Sequence, residues 1–185
     1  FGVIGIKGRI YKSKIDSDLA YMKDNSLLVQ NIIAHIQNPQ DHVQITCTIP
    51  ENKNQIIVDT VNQLTLNKNI SKSLIWTLLN SKITNWYAYR FIFGKAIRTM
   101  HFDNTITTRI PLPKKAIENQ EKLSSLANKL FVLGKQYLLI KYKQTDEKVR
   151  LEEEIQKLDN EIDEEVYKLY GITEAEKKII EKSLI

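Results

Sequence analysis

"KSLIWTLLNSKITNWYAY", Lys72 to Tyr89, is the stretch on which the fold turns. Leu74, Ile75, Leu78, Leu79, Ile83, Trp86 and Tyr87 recur at three- and four-residue steps, which predicts one amphipathic helix with a broad apolar face. Ser71 stands where an N-cap belongs. Trp76 falls off that stripe. The chain before this helix reads as strands and turns, and the chain well after it reads as helix alone.

Upstream, "HVQITCTIP" places Val43, Ile45, Cys47 and Ile49 in alternation with Gln44, Thr46 and Thr48, the period-two pattern of a half-buried strand. "SLLVQNIIAHI" (Ser26 to Ile36) and "QIIVDTV" (Gln55 to Val61) are short β-branched runs and predict buried strands. The opening "FGVIGIKGRIY" carries glycines at 2, 5 and 8. No strand-then-helix context follows them, so the spacing is not a dinucleotide fingerprint, and a twisted strand with turns is expected.

Downstream of Tyr89 the helical period dissolves. "FIFGKAIRTMHFDNTITT" reads as a loop and strand segment broken at Gly94, and Pro111 and Pro113 close the first region. Two heptad-like stripes follow: Leu123, Leu126, Leu130, Leu133, Tyr137 and Ile140, then Leu151, Ile155, Leu158, Ile162, Val166 and Leu169. A hairpin breaking near Gln144–Thr145 and a single long helix both fit them. Gly171 is placed as a helix C′ residue, and "TEAE" (Thr173 to Glu176) as a capping box opening a short last helix. The expected fold class is therefore α+β. Residues 1–113 form a β-rich lobe with a packed helix, and residues 114–185 a helical hairpin or coiled-coil-like spacer.

The 185 residues suffice for one domain, or one domain with an appendage, and 42% hydrophobic with 26% charged residues is an ordinary globular composition. The chain opens on Phe1, not Met, and reads as a piece of a longer polypeptide. A single cysteine, Cys47, excludes an internal disulfide and fits a reducing, cytoplasmic setting. No apolar run approaches the roughly 18 residues of a membrane span, so no membrane partner is expected.

The net charge of +5 is unevenly spread: residues 1–113 hold 13 Lys and Arg against 7 Asp and Glu, and residues 114–185 hold 14 against 15. The first region could approach a polyanion. The second would repel one along its acidic stretch of Glu152, Glu153, Glu154, Asp159, Glu161, Asp163, Glu164 and Glu165, which is read as a solvated face or a protein contact.

Signs of catalysis are sparse. Cys47, His35, His42 and His101 lack metal-ligand spacing. "PENK" (Pro50 to Lys53) holds a Glu-x-Lys of the kind metal-dependent nucleases use, but it reads as a turn. There is no Gly-rich phosphate loop, nucleophile elbow or Asn-Pro-Pro-Tyr motif. No catalytic residue, metal ligand or cofactor is assigned to this segment. What remains is "FGKAIRTMHFDN", in which Lys95, Arg98, His101 and Asn104 recur every three residues, with Arg90 just upstream. Arg can pair bidentately with guanine and Asn with adenine, while Lys meets phosphate as a point charge. A solvated edge beside a core segment is the other reading of these five residues.

"LLNSKITNWYAYRFIFGKAIRTMHFDNTITTRIPLPK", followed by helices and then "DNEIDEEVYKLYGITEAEKKIIE", resembles the TaqI-like C-terminal specificity domain. That domain is appended to adenine-specific DNA methyltransferases and to fused type II restriction-modification enzymes, and is similar to one half of a type I restriction specificity subunit. The matching positions are Leu79, Asn80 and Ser81, then Ile110 to Pro113. Ile162, Asp163, Val166, Tyr167, Leu169, Tyr170, Gly171, Ile172 and Thr173 complete them. The resemblance implies a target recognition module that binds double-stranded DNA and partners a methyltransferase or endonuclease domain. S-adenosylmethionine, and magnesium if a nuclease is present, would bind in that parent protein, not here. It assigns no base contact, because the family's base-reading residues vary with the target. The competing expectation is a protein-interaction module working through the heptad-like helices.

Overall fold

In a computed structural model, residues 11–15, 18–50, 55–96, 99–118 and 120–184 are described. The glycine-spaced opening, the Glu-x-Lys turn and Arg98 lie outside them. Among the described residues the chain is α+β, with six short strands and seven α-helices.

The strands β1 (Ser26–Gln30) and β2 (Ile32–Ile36) are one ribbon bent at Asn31. It returns as β3 (His42–Gln44) and β4 (Cys47–Thr48). With β5 (Val61–Thr65) and β6 (Met100–His101) they form two antiparallel sheets, ordered β4-β1-β5 and β3-β2-β6. The pairs Val29↔Cys47 and Ala34↔Gln44 lie five steps apart on the outgoing arm and three on the returning one. The two extra residues bulge the ribbon around Asn31, which is how one hairpin serves two sheets. The predicted alternation holds across the break: Val43, Ile45 and Cys47 are buried and Gln44 is exposed.

"QIIVDTV" departs from expectation. Ile56 makes one isolated bridge to Tyr21, and the strand begins only at Val61, running through the more polar "VNQLT". Hydrophobicity misplaced this strand because β5 is a half-buried edge, selected by pairing with β1 from Ser26↔Thr65 to Gln30↔Val61.

The single helix predicted over 72–89 is two: α1 (Lys72–Asn80) and α2 (Lys82–Tyr87), followed by a π-turn over Ala88–Ile92. Ser81 makes the break. Its hydroxyl donates to Leu78 O at 2.7 Å, and its oxygen accepts from Thr84 N at 3.4 Å, so it ends one helix and caps the next. Ser71 does occupy the N-cap of α1, but its side chain bonds Ser124 instead of the helix backbone.

Trp76, off the predicted stripe, is also buried. Leu74 to Leu79 are buried without interruption, because α1 lies between the sheet and the C-terminal helices. Trp76 Nε1 donates to Cys47 O at 2.9 Å, and its ring packs 4.4 Å from Phe131. Asn85 Oδ1 accepts from Ile45 N at 2.7 Å, and Asn80 Oδ1 from Cys47 N at 3.3 Å. Where β3 and β4 part, helical side chains thus satisfy backbone groups that a ladder would otherwise pair.

The downstream region resolves as a hairpin. Beyond α3 (Asn104–Thr107) and α4 (Lys114–Glu118), α5 (Gln120–Ile140) turns over 141–145 into α6 (Asp146–Tyr170), whose N-cap is Thr145. Gly171 closes α6 at φ 66°, the left-handed geometry that favours glycine. The capping box of Thr173 and Glu176 opens α7 (Glu174–Lys182). From Phe131 to Arg150 no residue is buried, so the tip projects from the body.

Its base does not project. Leu123, Leu126, Leu130, Ile162 and Val166 belong to the same hydrophobic core as Leu27, Val29, Val43 and Leu74, so the core continues across Pro113. The acidic stretch is divided accordingly. Asp163 is buried, accepting from Lys82 N at 3.0 Å on one oxygen and meeting Lys82 Nζ at 3.1 Å on the other. Glu165 lies between Lys122 and Lys168, and Glu164 is paired with Lys177. Glu152, Glu153 and Glu154 remain exposed.

Candidate nucleic-acid interface

Asn31, at the bend of the ribbon, organises the outer face of the second sheet. Its backbone N donates to Thr60 O at 3.0 Å, and its carbonyl accepts from Phe102 N at 2.7 Å. Its Nδ2 donates to Asp59 O at 3.1 Å. Its Oδ1 is the acceptor left for Asn62 Nδ2 at 3.4 Å and His101 Nδ1 at 3.2 Å. Asn62 also donates to Phe102 O. Because Asn31 Nδ2 is committed to a carbonyl, its Oδ1 can only accept, so the imidazole donates from Nδ1. A neutral His101 then keeps its acceptor at Nε2. The ring is exposed, on a strand that pairs Ile32↔His101.

Asn104 follows as the first residue of α3. Asp103 caps this short helix through Ile106 N at 3.2 Å, and Thr108 Oγ1 donates to Asn104 O at 2.8 Å. The Asn104 side chain is exposed. Just past the helix, Arg109 reaches back to the π-turn, with Nη2 to Phe91 O at 2.7 Å and Nη1 to Ile92 O at 3.3 Å. The predicted loop and strand segment therefore holds a π-turn, the strand and a short helix, and the Arg109 guanidinium ties the end of that helix to the π-turn.

The π-turn itself closes with Phe93 N on Ala88 O at 2.9 Å and Lys95 N on Tyr89 O at 2.9 Å. Reversing the chain this tightly puts Gly94 at φ 59° and Lys95 at φ 60°. For lysine that region costs roughly 1–2 kcal/mol, and it displays an exposed ammonium on the turn. Arg90 lies half-buried with its guanidinium 5.5 Å from the Trp86 ring centroid. Burial, and then the Asp41 carboxylate, push the neighbouring Tyr89 phenol above its ordinary range, with Arg90 opposing.

Arg90, Lys95, His101 and Asn104 are thus borne on the π-turn, the reversal that follows it, β6 and α3. No hydrogen bond joins the four to one another among the described residues. Sequence reasoning missed Asn31, Asn62 and Arg109. The one signal was an Asn interrupting the apolar run "SLLVQNIIAHI", which marks a bulge.

The remaining candidate chemistry is structural. His35 Nε2 sits 3.1 Å from Asp41 Oδ1, outside hydrogen-bond geometry, and the ring stacks on Tyr89 at 6.1 Å. His42 Nδ1 meets Gln40 O at 2.8 Å. Burial pushes the Cys47 thiol far up, away from thiolate reactivity. Among the described residues no three His, Cys, Asp or Glu gather where they could hold a metal ion, and no helix is long and apolar enough to cross a membrane.

Compared with protein-family models, curated proteins and solved structures, the chain finds no match.

Proposed function

We propose that the chain is the DNA target recognition module of an adenine-specific methyltransferase or fused restriction-modification enzyme, working in the cytoplasm. The observation that carries this reading is the run from Thr60 to Phe102, which bears six Lys or Arg and no Asp or Glu. It ends on an ordered edge where Lys95, His101 and Asn104 are exposed. Lys95 and Arg90 are suited to phosphate, and Asn104 to an adenine edge. His101, with Nε2 as acceptor, is suited to the exocyclic amine of cytosine or adenine. Arg98 joins them as a candidate from the sequence alone. The catalytic domain, with its S-adenosylmethionine and any magnesium, belongs to the rest of the parent protein or its complex. The module's share is to hold the site while that domain flips and modifies a base.

Titrating the chain with duplex DNA at several salt concentrations tests this. The expected result is weak binding, at about 10⁻⁴–10⁻⁶ M near physiological salt, tightening steeply as salt falls. Binding that does not change with salt, or none at low salt, would reject it.

One observation favours a second reading, a protein-interaction module. The hairpin tip exposes Val132, Leu138, Leu139, Tyr142 and Val149. Below it, Val132, Leu133 and Leu158 line a cleft of about 450 Å³ between α5 and α6. Loss of a partner protein, with DNA binding intact, on changing Leu139 and Tyr142 to Ser would support it.

A further inference from the structure

Between Val61 and Ile110 the chain exposes one large hydrophobic side chain among the described residues, Phe91, at 56%. It lies in the π-turn, and the turn is braced so that the ring is presented, not left to move. Arg109 holds the carbonyls of Phe91 and Ile92, and the turn closes on Ala88 O and Tyr89 O. Trp86 stands edge-on to the ring at 5.4 Å, and Tyr87 lies tilted at 5.3 Å. A rigid aromatic with one open side loses little conformational entropy when something stacks on it.

The surroundings indicate what that something is. Arg90 precedes the ring, Lys95 follows it closely, and the run from Thr60 to Phe102 around them lacks carboxylates. A protein-docking face would be expected to gather several apolar side chains around a hot spot. Here one exposed ring, backed by Trp86 and Tyr87, sits among cations, the composition of a stacking platform for nucleic acid, where each base offers a π-face and its phosphate a negative charge. A fully paired duplex buries its base faces, so such a ring can engage only a base that has left the stack.

Resting on the DNA-binding reading above, we propose that Phe91, flanked by Arg90 and Lys95, is a stacking site for an unpaired or extrahelical nucleobase. The site recognises the planar face and backbone charge, not base identity, and it is separate from the groove-reading edge at His101 and Asn104.

Two duplexes decide it, one fully paired and one carrying a single bulged 2-aminopurine, each titrated with the wild-type chain at low salt. The expected result is tighter binding of the bulged duplex, with quenched 2-aminopurine fluorescence. Replacing Phe91 by Ala should lower the bulged-to-paired affinity ratio by about 5- to 150-fold. Phe91→Leu should lower it nearly as far while keeping most of the apolar area, and Phe91→Trp should restore it. Equal binding of both duplexes by wild type, or a Leu variant as discriminating as wild type, would overturn the inference and leave the proposed function standing. If neither duplex binds at low salt, both fall. Because the ring is exposed, unchanged thermal unfolding of the variants is the control.

Discussion

Asp163 and Asn104 are both polar residues on or beside a helix, and they stand in opposite situations. Asp163 is buried where α6 meets the start of α2, and both carboxylate oxygens are engaged by Lys82. Asn104 is exposed at the start of α3, and the bonds recorded there go to its backbone carbonyl, not its side chain. A polar group locked into internal pairing holds the fold. An exposed one on a braced element is chemically available to a ligand. By that criterion the α6–α2 seam is structural and the β6–α3 edge is the candidate surface, although both carry conspicuous charged and amide residues in the sequence.

The comparison is broken most violently at the base of the hairpin. Ile162→Asp places an unpaired charge in the core shared by α6 and the sheet. A loss of roughly 3–5 kcal/mol is expected, with both regions unfolding in one transition. Two separate transitions in calorimetry would mean that the hairpin folds independently of the lobe.

The seam itself comes next. Asp163→Ala leaves Lys82 N without its acceptor and Lys82 Nζ with only Asn160 Oδ1, and should cost roughly 1–3 kcal/mol in denaturant unfolding. Asn104→Ala should change stability by less than about 0.5 kcal/mol and act on DNA affinity instead. If Asn104→Ala proves the more destabilising, the division between the two regions is wrong.

A subtler test uses pH. Asp159, one turn before Asp163, is pushed up to about 6 from an ordinary 3.8 by burial and then by the Asp163 charge, with Lys82 opposing. Burial also pushes Asp163 up, against its bonds to Lys82. Between about pH 4 and pH 6 the folded chain binds the Asp159 proton more tightly than the unfolded chain. Its contribution to stability therefore falls as pH rises through that window and does not return above it. Asp159→Asn should remove this slope and raise stability at pH 7 by about 1–2 kcal/mol. A mutant as pH-dependent as wild type would place the titration elsewhere.

A modest effect, of the opposite sign to the loss at the seam, is expected at the turn. Lys95→Gly relieves a positive φ and should stabilise the chain by about 1 kcal/mol, while removing one cation from the proposed DNA surface. The salt slope of duplex binding should fall by about 1. Greater stability with undiminished DNA binding would make Lys95 a bystander.

Features set by local chemistry were legible in the sequence. The alternation over Val43 to Cys47, the capping box at Thr173, the left-handed stop at Gly171 and the two stripes of the hairpin each depend on a few neighbouring residues. Their spacing or backbone preference acts within a turn or a strand. The candidate surface was legible as composition, cations and an amide every three residues, and as a loop and strand broken at Gly94, but without the π-turn and α3 that also carry it. Asn31 and Arg109 stayed hidden because their partners lie 70 and 18 residues away.

The sequence by itself determined that the chain is α+β, with a basic first region and a helical second one, because periodicity and charge are properties of adjacent residues. Tertiary structure decided which face of α1 is buried, and the answer is nearly all of it, since packing between a sheet and a helix leaves no solvent side. It likewise decided that Asp163 is a buried anchor while Glu152 to Glu154 remain in solvent. A carboxylate's role depends on whether a donor meets it across the fold, and neighbours in the sequence carry no record of that meeting.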